Sequence, residues 1–219
     1  MADDDTTDGE DDKLLVALTT EHFVLQSKRA TVTGEAGSRS FLYVGALSST
    51  LIALGFTTQF EDVFAVLAGA VLPALLILGV FTYVRLAEIG VEDLYYVGRI
   101  QRIESYYREL SPRAVRYFPA PRATGGRAKL EGMGISPWAR FQVLFTAASM
   151  IAAINSIVTG ATAALLLDGG LGVARGIAIA AAVVVALITM TLHAVDEDRR
   201  YERMHTADDA FEAQLDADL

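Results

Sequence analysis

Four stretches of the chain run for twenty residues or more without an Asp, Glu, Lys or Arg: Ser40 to Phe60, Val63 to Val84, Phe141 to Leu167 and Gly176 to Val195. A bilayer core about 30 Å thick is crossed by roughly 20 helical residues rising about 1.5 Å each. Helices buried in soluble proteins are shorter and are interrupted by charge. The pattern therefore predicts four transmembrane helices. Only Glu61 and Asp62 separate the first two runs. A turn with Asp168, Gly169, Gly170, Gly172 and Arg175 separates the last two. Each pair is thus a tight helical hairpin. The expected fold is all-α, a polytopic membrane protein of four transmembrane helices in two hairpins, with further helices in the cytoplasm.

Outside the runs the period becomes amphipathic. Residues 13–40 read as a helix with Leu14, Leu18, Phe23 and Leu25 on an imperfect apolar face, leading into the first span; Gly34 and Gly37 weaken it just before the membrane. Leu86, Ile89, Leu94, Val97, Ile100, Ile103, Tyr107 and Leu110 recur mostly at three- and four-residue steps, which predicts a helix continuing the second span until Ser111-Pro112 interrupts it. Glu104 and Arg108 form a favourable i,i+4 pair on it. Gly90 costs that helix only about 1 kcal/mol relative to alanine. The stripe needs a partner, which is the 13–40 helix, a tail helix around Tyr201 to Leu215, or another subunit. Phe118 to Trp138, with three prolines and four glycines, reads as a loop.

Charge sets the orientation. Placing both termini and residues 85–140 in the cytoplasm puts 17 of the 18 Lys and Arg residues there, leaving Arg175 outside, as the positive-inside rule requires. Tyr83, Phe60, Trp138 and Phe141 lie near span ends, where amphipathic rings anchor at the headgroups. The expected organisation is an acidic disordered tail (1–12), a cytoplasmic helix (13–40), a first transmembrane hairpin (41–84), a cytoplasmic helix and loop (85–140), a second hairpin (141–195) and an acidic cytoplasmic tail (196–219). The localisation is the cell membrane, multi-pass. Residues 1–12 hold seven acids and no base, and residues 196–219 hold nine acids. With only Arg199, Arg200 and Arg203 to offset them, these tails exceed the net charge of -9, and the rest of the chain is net basic. The same charges fit a high-salt cytosol or an ordinary acidic tail.

The search for chemistry returns little. With no cysteine, thiolate metal sites, disulfides and cysteine nucleophiles are excluded. His22, His193 and His205 have no metal-ligand spacing, and no HExxH, GxSxG or Walker pattern occurs; the basic, glycine-rich TGGRAKLEG lacks the Walker spacing. No catalytic, cofactor-binding or metal-binding residue is assigned, and no cofactor is expected. The spans lack the ionisable residues that mark ion pathways, save His193, read as an interfacial histidine. Asn155, the only asparagine, lies mid-span beside Ser156, where an amide bonds across a helix interface or lines a pore. Small residues at Ala174, Ala178, Ala182 and Ala186 permit close helix approach, and Pro73 is a kink candidate. Residues 85–140 carry ten bases, six acids and interleaved tyrosines, which positive-inside retention already explains. Anionic lipid contact is the next reading, and no nucleic acid is expected.

The segment TEHFVLQSKRATVTGEAGSRSFLYVGALSSTLIALGF, from Thr20 to Phe56, followed later by EDLYYVGRIQRIESYYREL, resembles a family of uncharacterised prokaryotic four-span membrane proteins with no assigned activity. The resemblance covers most of residues 20–118 and implies the membrane class alone. The two-hairpin layout is also similar in architecture to small membrane effectors of prokaryotic nucleotide-signalling defence systems. The expected function is a non-enzymatic interaction or effector module, in contact with membrane lipids and oligomeric or bound to a cytoplasmic protein. Leu94, Val97, Ile100, Ile103 and Tyr107 are its candidate cytoplasmic interface. The alternative is a small channel or transporter with an uncharged pathway near Asn155, using Ser156 and Pro73.

Overall fold

The computed structural model describes residues 4–122, 128, 131–134 and 146–218. Four long helices form it: α1 (Asp4–Thr57), α2 (Glu61–Leu110), α3 (Ala147–Leu165) and α4 (Arg175–Asp218). A 3-10 turn covers Ala114–Arg116 and a π turn covers Leu166–Gly170; there is no strand among the described residues. All four helices are long and apolar enough to cross a membrane. The first residues of the expected third span, Phe141 to Phe145, lie outside the described residues, as does the proposed anchor Trp138.

Helix boundaries follow local chemistry. α1 begins at Asp4, inside the acidic run expected to be disordered. Acidic residues in the first turns of a helix offset the positive end of its dipole, so the composition of this run favours a helix start. Gly34 and Gly37 do not interrupt α1, and α2 passes through both Pro73 and Gly90 before ending at Leu110, two residues ahead of Pro112. Gly90 is more than a tolerated weak point. A Cβ there would lie 2.7 Å from the Tyr201 hydroxyl of α4, so the glycine leaves room for the end of that side chain. Thr146 caps α3, its hydroxyl accepting the Ser149 backbone N–H at 3.1 Å.

The chain divides into two compact units, residues 1–35 with 92–140, and residues 36–91 with 141–219. In the first unit, α1 and α2 lie antiparallel: Thr19 meets Tyr107, Leu25 packs with Ile100 and Ile103, and Arg29 reaches Asp93. Leu25 is fully buried, with Leu18, Tyr96 and Tyr107 around it. Leu18, Leu25 and Val32 recur every seven residues and keep one side of α1 toward α2. Leu14 and Phe23, expected on the same face, fall off that repeat and are exposed. Arg29 grips Asp93 with two parallel bonds, Nε to Oδ1 at 2.7 Å and Nη2 to Oδ2 at 3.1 Å. Glu104 lies 3.8 Å from His22, and Arg108, its expected i,i+4 partner, has a buried Nη1 without a hydrogen-bond partner. Tertiary contact has overridden the weak pair along the helix, worth only about 0.2–0.5 kcal/mol.

The second unit turns large apolar side chains outward, among them Phe41, Leu51, Phe56, Val66, Phe81 and Leu192. In water this surface would drive aggregation; in hydrocarbon it is solvated. Where α3 meets α4, its interior is made by small residues. A Cβ on Gly160 of α3 would come within 2.6 Å of the Ala182 carbonyl oxygen and 3.0 Å of the Ala186 methyl of α4. Ala178, a turn before Ala182, is 1% exposed. Such spacing brings backbones into van der Waals contact, which drives helix association where lipid removes the hydrophobic term. Gly160→Leu meets a backbone oxygen that cannot swing away. It is expected to cost toward the upper end of about 1–3 kcal/mol, read as a lower midpoint of thermal unfolding in detergent. An unchanged midpoint would mean that α3 and α4 are not held by this contact.

Candidate functional site

Two polar constellations lie in the second unit, one inside an apolar run and one beyond it. Asn155 is 1% exposed on α3, and its Oδ1 accepts the Tyr43 hydroxyl of α1 at 3.4 Å. That distance is long for O–H···O, so steric fit matters more than the bond. A Cβ on Gly79 of α2 would lie 2.7 Å from the Asn155 Cγ and 3.0 Å from the Tyr43 hydroxyl. Gly79 thus makes the recess that receives the amide, and three helices meet at one residue. Ser156, 2% exposed, donates to the Ala152 carbonyl at 2.7 Å, one turn back on its own helix. Both candidates therefore sit at packed positions.

The second constellation surrounds two adjacent carboxylates of α4 with opposite environments. Glu197 is 5% exposed; its Oε2 accepts the Ser149 hydroxyl at 2.8 Å and its Oε1 accepts the Thr146 hydroxyl at 3.0 Å. Burial pushes its carboxyl above the usual range, and the two hydroxyls pull it back only in part. The carboxylate lies at the first turn of α3, where the helix dipole favours negative charge. Burial would also raise Asp196, but Arg200, whose Nε donates at 2.8 Å, outweighs it, together with the Tyr83 hydroxyl at 3.2 Å, and holds that carboxyl below its ordinary value. Tyr83 also donates to the His193 carbonyl at 2.7 Å, and its ring meets the His193 ring edge-on at 4.3 Å. These groups are satisfied by one another. The arrangement fixes α2, α3 and α4 together.

Sequence reasoning missed Glu197, which it assigned to an acidic tail. A signal was present. The inward positions Ala178, Ala182 and Ala186 continue through Thr189, His193 and Glu197 at three- and four-residue steps, so the buried stripe of α4 outlasts its apolar run. Tyr83 stands at a span end, yet it is 3% exposed and spends its hydroxyl on α4.

Pro73 lies within α2 and removes the helical bond to the Gly69 carbonyl; both residues line a partly open cavity of about 630 Å³ that reaches the two hairpin turns. In the first unit, Leu94, Val97, Ile100 and Ile103 are buried, at 0%, 2%, 4% and 7% exposure, and Tyr107 packs on the same cluster. For Ile100, Ile103 and Tyr107 the cover is α1 of the same chain. Leu94 and Val97 are as buried, and Val97 also faces Gly132, whose Cβ would lie 2.6 Å away. The five residues are interior to the unit, and its free surface lies elsewhere. Among the described residues, no three His, Asp or Glu side chains lie close enough to share a metal ion. His205 and most of the TGGRAKLEG segment lie outside the described side chains. No protein-family model matches the chain, and comparisons with curated proteins and with solved structures return no match.

Proposed function

We propose that the chain is a non-enzymatic integral membrane module that assembles with further copies of itself through one face of α1. In this reading the four apolar runs span the cell membrane in contact with its lipids. Both termini and residues 85–140 are cytoplasmic, where retention of Lys and Arg would hold them. The observation that carries the assembly is the outward side of α1. Val16, Thr20, Phe23, Ser27 and Ala30 are exposed, uncharged and spaced four, three, four and three residues apart. That is the spacing of a helix–helix seam. The seam hydroxyl of Thr20 is spent on its own helix, donating to the Val16 carbonyl at 2.9 Å. Phe23 is 75% exposed, the large anchor of a surface otherwise made of small residues that permit close approach. The charges of this region, Glu21, Lys28 and Arg29, lie off the seam and are turned to α2 residues or rings. A second α1 presented parallel, as two copies of one orientation in the same bilayer require, would bury the same positions from both sides.

Because the chain has no cysteine, one variant tests both parts of this reading. In Phe23→Cys, oxidation of native membranes is expected to give a disulfide-linked dimer. An impermeant thiol reagent is expected to label the variant only after the membrane is opened, whereas Gly170→Cys labels in intact cells. Monomers alone would count against the seam. Labelling of the Phe23→Cys variant in intact cells would reverse the orientation.

A further inference from the structure

The cavity beside Pro73 combines an apolar wall with an acidic mouth. Phe64, Ala68 and Leu72 of α2 face Leu165 of α3 across it, while Glu61 and Asp168, from the two hairpin turns, stand at its rim. At about 630 Å³ it falls within the roughly 300–1,000 Å³ of small-molecule sites, which are likewise mostly apolar with a few polar groups that orient the ligand. The rim charge is not cancelled. Arg175 lies 3.5 Å from Asp168 but is 81% exposed, a pair that water screens and that holds its partner only weakly. Glu61 opens α2, where the helix dipole favours negative charge. Two carboxylates against one guanidinium leave the mouth negative, beside walls that reject water.

We propose that this cavity binds a lipophilic organic cation, its apolar body against Phe64, Ala68, Leu72 and Leu165 and its positive charge at Glu61 and Asp168. Charge complementarity selects this occupant over the lipids that surround the helices. A neutral acyl chain gains nothing from the rim, an anionic headgroup is repelled by it, and a zwitterionic headgroup brings a phosphate to the rim along with its ammonium. A cation that also carries bulk satisfies both parts of the site. Positive charge alone would stay hydrated outside, and bulk alone would partition into the bilayer. The site shares no residue with the α1 seam, so the two ideas stand or fall independently.

The test is equilibrium binding of tetraphenylphosphonium to the full chain in phosphatidylcholine nanodiscs, with empty nanodiscs subtracted. Saturable one-site binding is expected. Glu61→Gln should weaken it about tenfold, since loss of one charge contact of about 1.4 kcal/mol corresponds to that factor. Ala68→Phe, which fills the cavity, should abolish it. If Ala68→Phe does not fold, the double variant Glu61→Gln, Asp168→Asn decides, because both side chains lie at the rim and their loss creates no void. Neutral triphenylphosphine oxide should bind at least tenfold more weakly than the cation. Absence of saturable binding would overturn the proposal. So would equal affinity for the neutral compound, or unchanged affinity in the rim variants, either of which makes the cavity an apolar crevice for lipid.

Discussion

Replacing both Ile100 and Ile103 with Asp is expected to separate α1 from α2 in the first unit while leaving the second intact. The two side chains are 4% and 7% exposed and pack on Leu25, Leu18, Tyr96 and Tyr107. A carboxylate placed there has no cation within the cluster. Each must be protonated, find water, or open the contact, at a cost on the order of 3 kcal/mol or more. A helix pair with this little core cannot absorb two such costs. Hydrogen exchange should show lost protection for amides of residues 18–32 and 94–107. Residues 147–160 of α3, whose contacts are to Tyr43, Gly79 and α4, should keep theirs. Undiminished protection at 18–32 would show that this stripe does not hold the helices together.

The helices and the apolar runs were legible because their signals are one-dimensional. An unbroken stretch such as Val63 to Val84 announces a long apolar helix from length alone, and Ser111-Pro112 announces where α2 must stop. The contacts were less legible because each depends on a partner far along the chain. Asn155 stood out as the only asparagine, yet its meaning comes from Gly79, which reads in sequence as an ordinary small residue and acts by leaving a recess. Gly90 and Gly160 are alike in this. A glycine is informative only once the atom facing it is known, Tyr201 in one case and the Ala182 carbonyl in the other.

Charged residues misled in the opposite direction. Composition placed Asp196 and Glu197 in a solvated tail because they follow directly on an apolar run and precede more charge. Helical phase is the finer guide. Glu197 sits one turn beyond His193 on the inward side of α4 and meets hydroxyls from the start of α3, while Asp198 and Arg199 beside it are exposed. The same holds for Glu104 and Arg108, whose separation by four residues suggested a pair along α2. Proximity on one helix contributes a few tenths of a kcal/mol, and a group on the neighbouring helix readily takes precedence.

The Arg29–Asp93 pair is expected to show strong, asymmetric coupling. Asp93 has a side chain only 6% exposed, and it receives two charge-assisted bonds from an arginine whose side chain is 22% exposed. Arg29→Ala strands a buried carboxylate, a change in the class that costs about 3–5 kcal/mol. The lower end of that range applies here, since the arginine is partly wet. Asp93→Ala should cost less, because the long Arg29 side chain can turn its head to water and keep its stem packed. Removing both leaves no buried charge, so the double variant should be more stable than Arg29→Ala alone, and far from the sum of the single losses. The readout is the denaturant dependence of hydrogen exchange at Leu25 and Leu94, which flank the pair along the two helices. If the single losses add, the pair does not bear on the packing of α1 against α2. The cost would then lie in the aliphatic stem of Arg29, and Arg29→Met would restore stability with Asp93 still present.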